Sequence, residues 1–257
     1  MSPSPSLPRL DCHAHIAPDV TVPQVAALNG AIIFAMTRSP DEAAAAARRH
    51  DETILWGYGA HPGLKTATVQ VTEDRVRRAV VNHLIIGEVG LDRGSALHPQ
   101  QAAFDTILKT CTGHPVLLSI HSTGRTREAV AALGRHPHPG AILHWFNGTE
   151  QEICEAAGLG CYFSVNAAMS DERIGWMPRE RLLPETDFPS SRRSTRAKLP
   201  ADIDHLEERM VRLTGEAPEQ IRLMWYRNLG RLTRAARVES RLPDTIKKIL
   251  RAAEPAQ

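Results

Sequence analysis

Short apolar runs recur along the chain and alternate with longer segments whose apolar residues fall at helical spacing. That alternation predicts βα units around a parallel sheet. Strands are predicted over Leu10–His15, Ala31–Ala35, Ile54–Ala60, Leu84–Glu88, Val116–His121, Ala141–His144, Cys161–Val165 and Leu182–Thr186. Helices are predicted over Pro40–His50, Thr72–Val81, Pro99–Thr110, Thr126–Leu133, Thr149–Ala157, Pro200–Leu213 and Pro218–Arg237. Several start with Pro in the first turn, as Pro40 does after the capping residue Ser39, which is a helix-start signal. Eight runs in this order predict an α/β, TIM-type (β/α)8 barrel. An open doubly wound sheet is the alternative, because the second and seventh runs are weakly marked.

The polar residues that close these runs point to a site. His13, His15, Glu88, His121, His144 and Asp187 each stand at or just past the end of an apolar run, and a barrel collects such ends on one face. Within the first run, Asp11, His13 and His15 share one side of a strand, while Cys12 and Ala14 point the other way. On a helix, His13 and His15 would diverge by about 200°, too far to hold one ion at metal-ligand distance.

The length of 257 residues suits one barrel, a fold that typically takes about 250. We read residues 1–237 as the barrel and 238–257 as a basic C-terminal extension carrying Arg241, Lys247, Lys248 and Arg251. The chain has no apolar window long enough for a membrane span, and its first residues lack the features of a signal peptide; a soluble, cytoplasmic protein with no membrane partner is expected. Four cysteines without a CxxC pair fit a reducing compartment. A net charge of +2 excludes a polyelectrolyte type of nucleic-acid binder, so phosphate contacts must come from a local patch. One candidate is the loop from Pro189 to Leu199, directly after Asp187, which carries Arg192, Arg193, Arg196 and Lys198.

Histidines and carboxylates without thiolates describe a hydrolytic site for Zn²⁺, Mn²⁺ or Mg²⁺. We expect two ions, one among His13, His15, Glu88 and Asp187, the other among Glu88, His121 and His144, with Glu88 as the bridge. Water activated by both ions would attack phosphorus or a carbonyl carbon, with Asp187 and Glu88 taking part in catalysis. His61, at the end of the third run, is a candidate acid or phosphate contact. Trp145, Phe146 and Phe188 are candidates for an aromatic rim against a nucleobase. The other seven histidines fall in helices or Pro-rich loops and read as surface or capping residues.

Seven ordered stretches resemble the TatD-like metal-dependent hydrolases. They are Leu10-Asp11-Cys12-His13-Ala14-His15, Gly59-Ala60-His61-Pro62, Gly87-Glu88-Val89-Gly90-Leu91-Asp92, Ile120-His121-Ser122, His144-Trp145-Phe146-Asn147-Gly148, Tyr162-Phe163-Ser164-Val165-Asn166 and Glu185-Thr186-Asp187-Phe188-Pro189. Within that family, Leu118–Ser122, the HWF stretch and the FSVN stretch look most like the TatD-like component of the Qat anti-phage defence system. The resemblance implies an amidohydrolase-like barrel, two divalent metals on the six residues above, and phosphodiesterase activity, typically exonucleolytic on DNA ends. Related amidohydrolases often bridge their ions with a modified lysine, but here an acid takes that place. Relatives commonly carry Arg directly after His-Ser, whereas here Thr123 and Gly124 precede Arg125, and Arg93-Gly94-Ser95 replaces a more aromatic loop. Substrate contacts are accordingly expected from His61, Arg125, Trp145, Arg192 and Arg193.

Three functions follow. The first is a metal-dependent DNase whose partners are DNA, or another phosphodiester, and other subunits of a defence system. The second is a hydrolase of small amides, esters or phosphoesters. The third is an interaction subunit that binds partner proteins through its basic tail.

Overall fold

The computed structural model describes residues 7–254 apart from Ser191, and the Arg192 side chain also lies outside the described set. Eight strands, β1 Leu10–Ala14, β2 Ile32–Ala35, β3 Ile54–Tyr58, β4 Ile85–Gly90, β5 Leu117–His121, β6 Ala141–His144, β7 Tyr162–Val165 and β8 Leu182–Pro184, pair in sequence order. All seven ladders are parallel. Every residue of β1, β2, β4, β6, β7 and β8 is buried, because one strand face fills the barrel and the other meets the helices.

The ring closes through loop backbone just beyond the strands. Asp187 N donates to His13 O at 2.8 Å, and His15 N donates to Phe188 O at 2.6 Å. Beneath them the buried Asp11 carboxylate accepts from Thr186 N, Thr186 Oγ1 and Ala201 N at 3.0, 2.6 and 2.8 Å. Burial pushes this carboxyl up to about 7 against the pull of those donors. Asp11 therefore acts as a clasp between the first and last strands.

The helices are α1 Val22–Ala26, α2 Pro40–Ala46, α3 Lys65–Thr68, α4 Glu73–Asn82, α5 Leu97–Cys111, α6 Thr126–Arg135, α7 Glu150–Gly158, α8 Asp171–Trp176, α9 Arg192–Thr195, α10 Asp204–Thr214, α11 Pro218–Ala235 and α12 Asp244–Ala253. Local chemistry starts several of them: Ser39, Thr72, Thr149 and Ser170 each accept from the backbone N–H three residues on, satisfying a donor the helix leaves open. Helix α4 buries Val76, Ala79 and Val80, one stripe at helical spacing. Helices α1, α3, α8 and α9 have at most six residues, too short for a periodic signal in the sequence.

The residues after 237 pack against the barrel. Leu242, Ile246, Leu250 and Ala253 belong to the same buried cluster as the strands. Arg241 donates to the carbonyls of Val80, Val81, His83 and Pro115 at 2.7–3.0 Å.

Two glycines set the strand spacing near the mouth. A Cβ at Gly59 would meet Thr37 O at 1.7 Å, and one at Gly90, where φ is +138°, would meet His121 O at 2.1 Å. Only glycine lets these backbones approach so closely.

Candidate metal centre

The parallel register brings the ends of β1, β4, β5, β6 and the turn after β8 to one mouth, and with them His13, His15, Glu88, His121, His144 and Asp187. His13 and Glu88 are buried, at 0% and 1% exposure. Asp187 holds a left-handed backbone at φ +51°, and Trp145 does so at +39°. Non-glycine residues in that region are uncommon and gather at functional sites.

Glu88 stands at the middle. Its Oε2 lies 3.3 Å from His15 Nε2 and 3.7 Å from His13 Nε2, while Asp187 Oδ1 lies 3.5 and 3.8 Å from the same two nitrogens. Ligand atoms about 2.1 Å from a tetrahedral ion stand about 3.4 Å apart, so these four atoms match the edges of one coordination shell. Glu88 Oε1 faces a second set, with His121 Nδ1 at 2.6 Å and His144 Nε2 at 3.3 Å; His144 Nε2 and His121 Nδ1 are 3.4 Å apart. His13 and His144 stack with ring centroids 3.7 Å apart. His13 Nε2 and Glu88 Oε2 are buried with no hydrogen-bond partner among the described residues. Orphaned buried polar atoms are costly, and a cation between them removes that cost.

Outer partners set which nitrogen each histidine offers. His15 Nδ1 donates to Met36 O at 3.0 Å, leaving the Nε2 lone pair for the centre. His144 Nδ1 is 3.3 Å from Glu185 Oε2, again leaving Nε2. Glu185 in turn accepts from Ser164 Oγ and from Asn166 Nδ2. His121 is reversed: its Nε2 meets Asp92 Oδ2 at 2.8 Å, so Nδ1 faces Glu88. His13 Nδ1 meets Ser119 Oγ at 2.8 Å, which leaves Nε2 for the centre.

The charges agree with a site built for cations. Burial raises Glu88, yet His121, His13, His144 and His15 together hold it well below the usual carboxylate range. Burial opposes a proton on His15, but Asp187 and Glu88 raise this residue to about 10. Burial, aided by His144, lowers His13. Metal ions compete with these ring protons for the same lone pairs.

His61 joins the cluster in a different role. Its Nδ1 accepts from Gly63 N at 2.9 Å, so the neutral ring carries its proton on Nε2, 3.4 Å from Glu88 Oε1. Burial is the main cause that lowers this histidine to about 4, keeping it neutral at ordinary pH. Although His61, Glu88 and His121 lie close enough together to hold an ion, this tautomer presents a donor and no lone pair. The geometry favours His61 as a hydrogen-bond donor to an anionic ligand.

A cavity of about 140 Å³ opens over the centre, and Arg38, His61, Thr123, Trp145 and Ser190 share its lining with His15, Glu88, His121, His144 and Asp187. Arg38 escaped the reading of the sequence because no ligand-type residue closes the second apolar run. It lies three residues past the end of β2, as Asp187 does past β8. The outer partners Asp92, Glu185 and Ser119 also escaped, since nothing in sequence ties them to a particular ring.

Other expected contacts fall elsewhere. Arg125 precedes α6 and pairs with Glu128 at 3.3 Å, and it does not line the cavity. Arg193 is exposed on α9, and the Arg192 side chain is outside the described residues. Trp145 is half-buried in the cavity wall, but Phe146 is fully buried against Phe163, with centroids 5.9 Å apart. Phe146 is therefore core, not rim. Among the other seven histidines, His138 is buried, and its Nε2 reaches the carbonyls of Cys111 and His114 at 3.2 and 3.3 Å.

The family model described as TatD related DNase matches residues 10–234. A relative from Enterobacter lignolyticus named 3'-5' ssDNA/RNA exonuclease TatD is 30% identical over 199 residues, covering 68% of this chain and 76% of the relative. The protein of the same name from Cronobacter sakazakii is 28% identical over 215 residues, covering 75% and 81%. Among solved structures, a TatD homologue from Escherichia coli superposes with a TM-score of 0.75 at 20% identity, covering 87% of this chain and 97% of that one. A TatD family hydrolase from Entamoeba histolytica gives 0.71 at 14% identity, covering 88% and 98%. These two likenesses bear on the fold.

Proposed function

The chain belongs to the TatD-related DNase family, and we propose that it is a divalent-metal-dependent exonuclease of single-stranded DNA or RNA. The observation that carries the reading is the division of Glu88, whose Oε2 faces His13, His15 and Asp187 while its Oε1 faces His121 and His144. One carboxylate that serves two sets of lone pairs suits a bridge between two ions. His13, His15, Glu88 and Asp187 would hold one, and Glu88, His121 and His144 the other. Bound there, Mg²⁺, Mn²⁺ or Zn²⁺ supplies Lewis acidity toward a phosphodiester and activation of water at neutral pH.

The protein's own groups divide the remaining work. His61 Nε2–H donates to a non-bridging phosphate oxygen, and Arg38 pairs with the charge of the same strand. The Asp187 carboxylate takes a proton from the water whose oxygen bonds to phosphorus, and as the P–O bond to the leaving group breaks, the departing oxygen takes up a proton from solvent water. Glu185 and Asp92 hold the rings of His144 and His121 in the tautomers that face inward. Exposed Arg193 contributes only to strand beyond the cavity.

Product ladders from 3'- and 5'-labelled single strands test this reading. Stepwise loss of nucleotides from one end, stopped by chelation and by Glu88→Gln, is expected; a strand left intact in every metal tried would count against it. A place in anti-phage defence, among other subunits, is the further reading. Its support is the likeness of Leu118–Ser122, His144–Phe146 and Phe163–Asn166 to a defence component. Loss of phage protection in cells carrying Glu88→Gln checks it.

A further inference from the structure

Beside the metal centre lies a second, larger cavity of about 380 Å³, walled by Ile16, Val20, Leu28, Phe188 and Leu199. That volume falls in the range of small-ligand sites, about 300 to 1,000 Å³. Three observations join it to the chemistry. His15 lines both cavities. Asp187 lines the metal cavity and the next residue, Phe188, lines the apolar one, and Phe188 O is fixed to His15 N at 2.6 Å. The two cavities also differ in chemistry: cationic Arg38 and the donor His61 lie on the metal side, aliphatic and aromatic walls on the other.

The fold leaves the apolar walls only partly covered: Ile16 is buried, while Val20, Leu28 and Phe188 are half-buried. Helix α1, which borders the cavity at Gln24, has no buried residue, and Leu199 in the wall is 38% exposed. At the rim, Gln24 Oε1 already accepts from Thr21 N and Oγ1, which leaves its amide N–H groups as donors, with the Asp19 carboxylate nearby as an acceptor. An apolar slot with a ring in its wall and one donor and one acceptor at its edge matches a nucleobase, which has two π-faces and a polar rim.

We propose that this cavity is the subsite for the unpaired base of the nucleotide being removed, resting on the nuclease reading above. The base enters between Phe188 and Leu28 while its phosphate lies over the metal centre toward Arg38 and His61. A duplex end cannot fill such a slot without unpairing, so the subsite gives the enzyme its preference for single strands.

The test compares two single strands that are identical except that the terminal nucleotide of one lacks its base. The wild-type protein with Mn²⁺ should remove the base-bearing terminus with a kcat/KM about tenfold or more above the abasic one, within the range that stacking supplies. Leu28→Ser or Val20→Ser should shrink that ratio toward one, with melting curves to verify the fold of each variant. Equal rates on both strands in the wild type would overturn the subsite and leave the nuclease reading standing. Inertness toward both strands would overturn the nuclease reading and the subsite with it.

Discussion

Glu88 Oε1 lies 2.6 Å from His121 Nδ1 while the other nitrogen of that ring is engaged by Asp92. Two acceptors cannot face each other at that distance unless a proton or a cation serves both. Divalent ions should therefore stabilise the fold. At one hundred times the dissociation constant a bound ion adds about 2.7 kcal/mol, which raises Tm by about 5–10 °C in a chain of this size. Scanning fluorimetry with Mn²⁺ and with EDTA should show that shift in the wild type and lose most of it in Glu88→Gln; an equal shift in the variant would remove Glu88 from the centre.

Glu185 is a positioning residue. It is 1% exposed and holds His144 through Nδ1, itself fixed by Ser164 and Asn166. Loss of such an outer partner costs about 10–100-fold in metal affinity or activity. Glu185→Gln should raise the Mn²⁺ concentration for half-maximal activity by that factor. An unchanged Mn²⁺ requirement with only a lower Tm would make its role purely structural.

Arg38 should bind substrate through charge. Removing one phosphate contact from a single strand reduces the slope of log affinity against log salt by about 0.7. Arg38→Ala should raise KM several-fold and flatten the slope by that amount, whereas Arg125→Ala, whose partner is Glu128, should leave the slope alone. A slope insensitive to Arg38 would dismiss the contact.

His138 links stability to pH. Burial, the largest cause, lowers it below the ordinary imidazole value, and its Nδ1 accepts from Gly140 N at 3.0 Å, where a second proton would have no place. The unfolded chain takes up that proton near pH 6.5 and the folded chain only at lower pH, so stability is full above about 6.5 and falls as pH drops through the window below it. Melting curves should show the Tm difference between wild type and His138→Gln shrinking from pH 7.5 to 5. A difference constant across that range would contradict the linkage.

The barrel was legible because its strands are buried on both faces, which writes each as an apolar run, and because parallel order puts their polar ends on one side. All eight runs became strands. The six ligand-type residues stood out for the same reason: a polar side chain that closes an apolar run is conspicuous. Arg38 closes nothing, and the partners of the rings, Asp92, Ser119 and Glu185, are chosen by distances that only the closed barrel defines. Phe146 follows closely on His144 in the chain, but β6 ends at His144 and the left-handed backbone of Trp145 breaks the strand alternation, so Trp145 reached the cavity and Phe146 the core. The tail after residue 237 read as basic because its charges are conspicuous, while Ile246, Leu250 and Ala253 formed the stripe that docks it.

Exonuclease rate against bound Mn²⁺ per chain, with metal content and activity read from the same samples, decides whether a two-ion centre on Glu88 carries the reaction. The two-ion centre predicts no activity in the metal-free protein, full activity as occupancy approaches two ions, and loss of both the second ion and the activity in Glu88→Gln. Full activity in metal-free protein, or in a Glu88→Gln variant that cannot retain both ions, would contradict it.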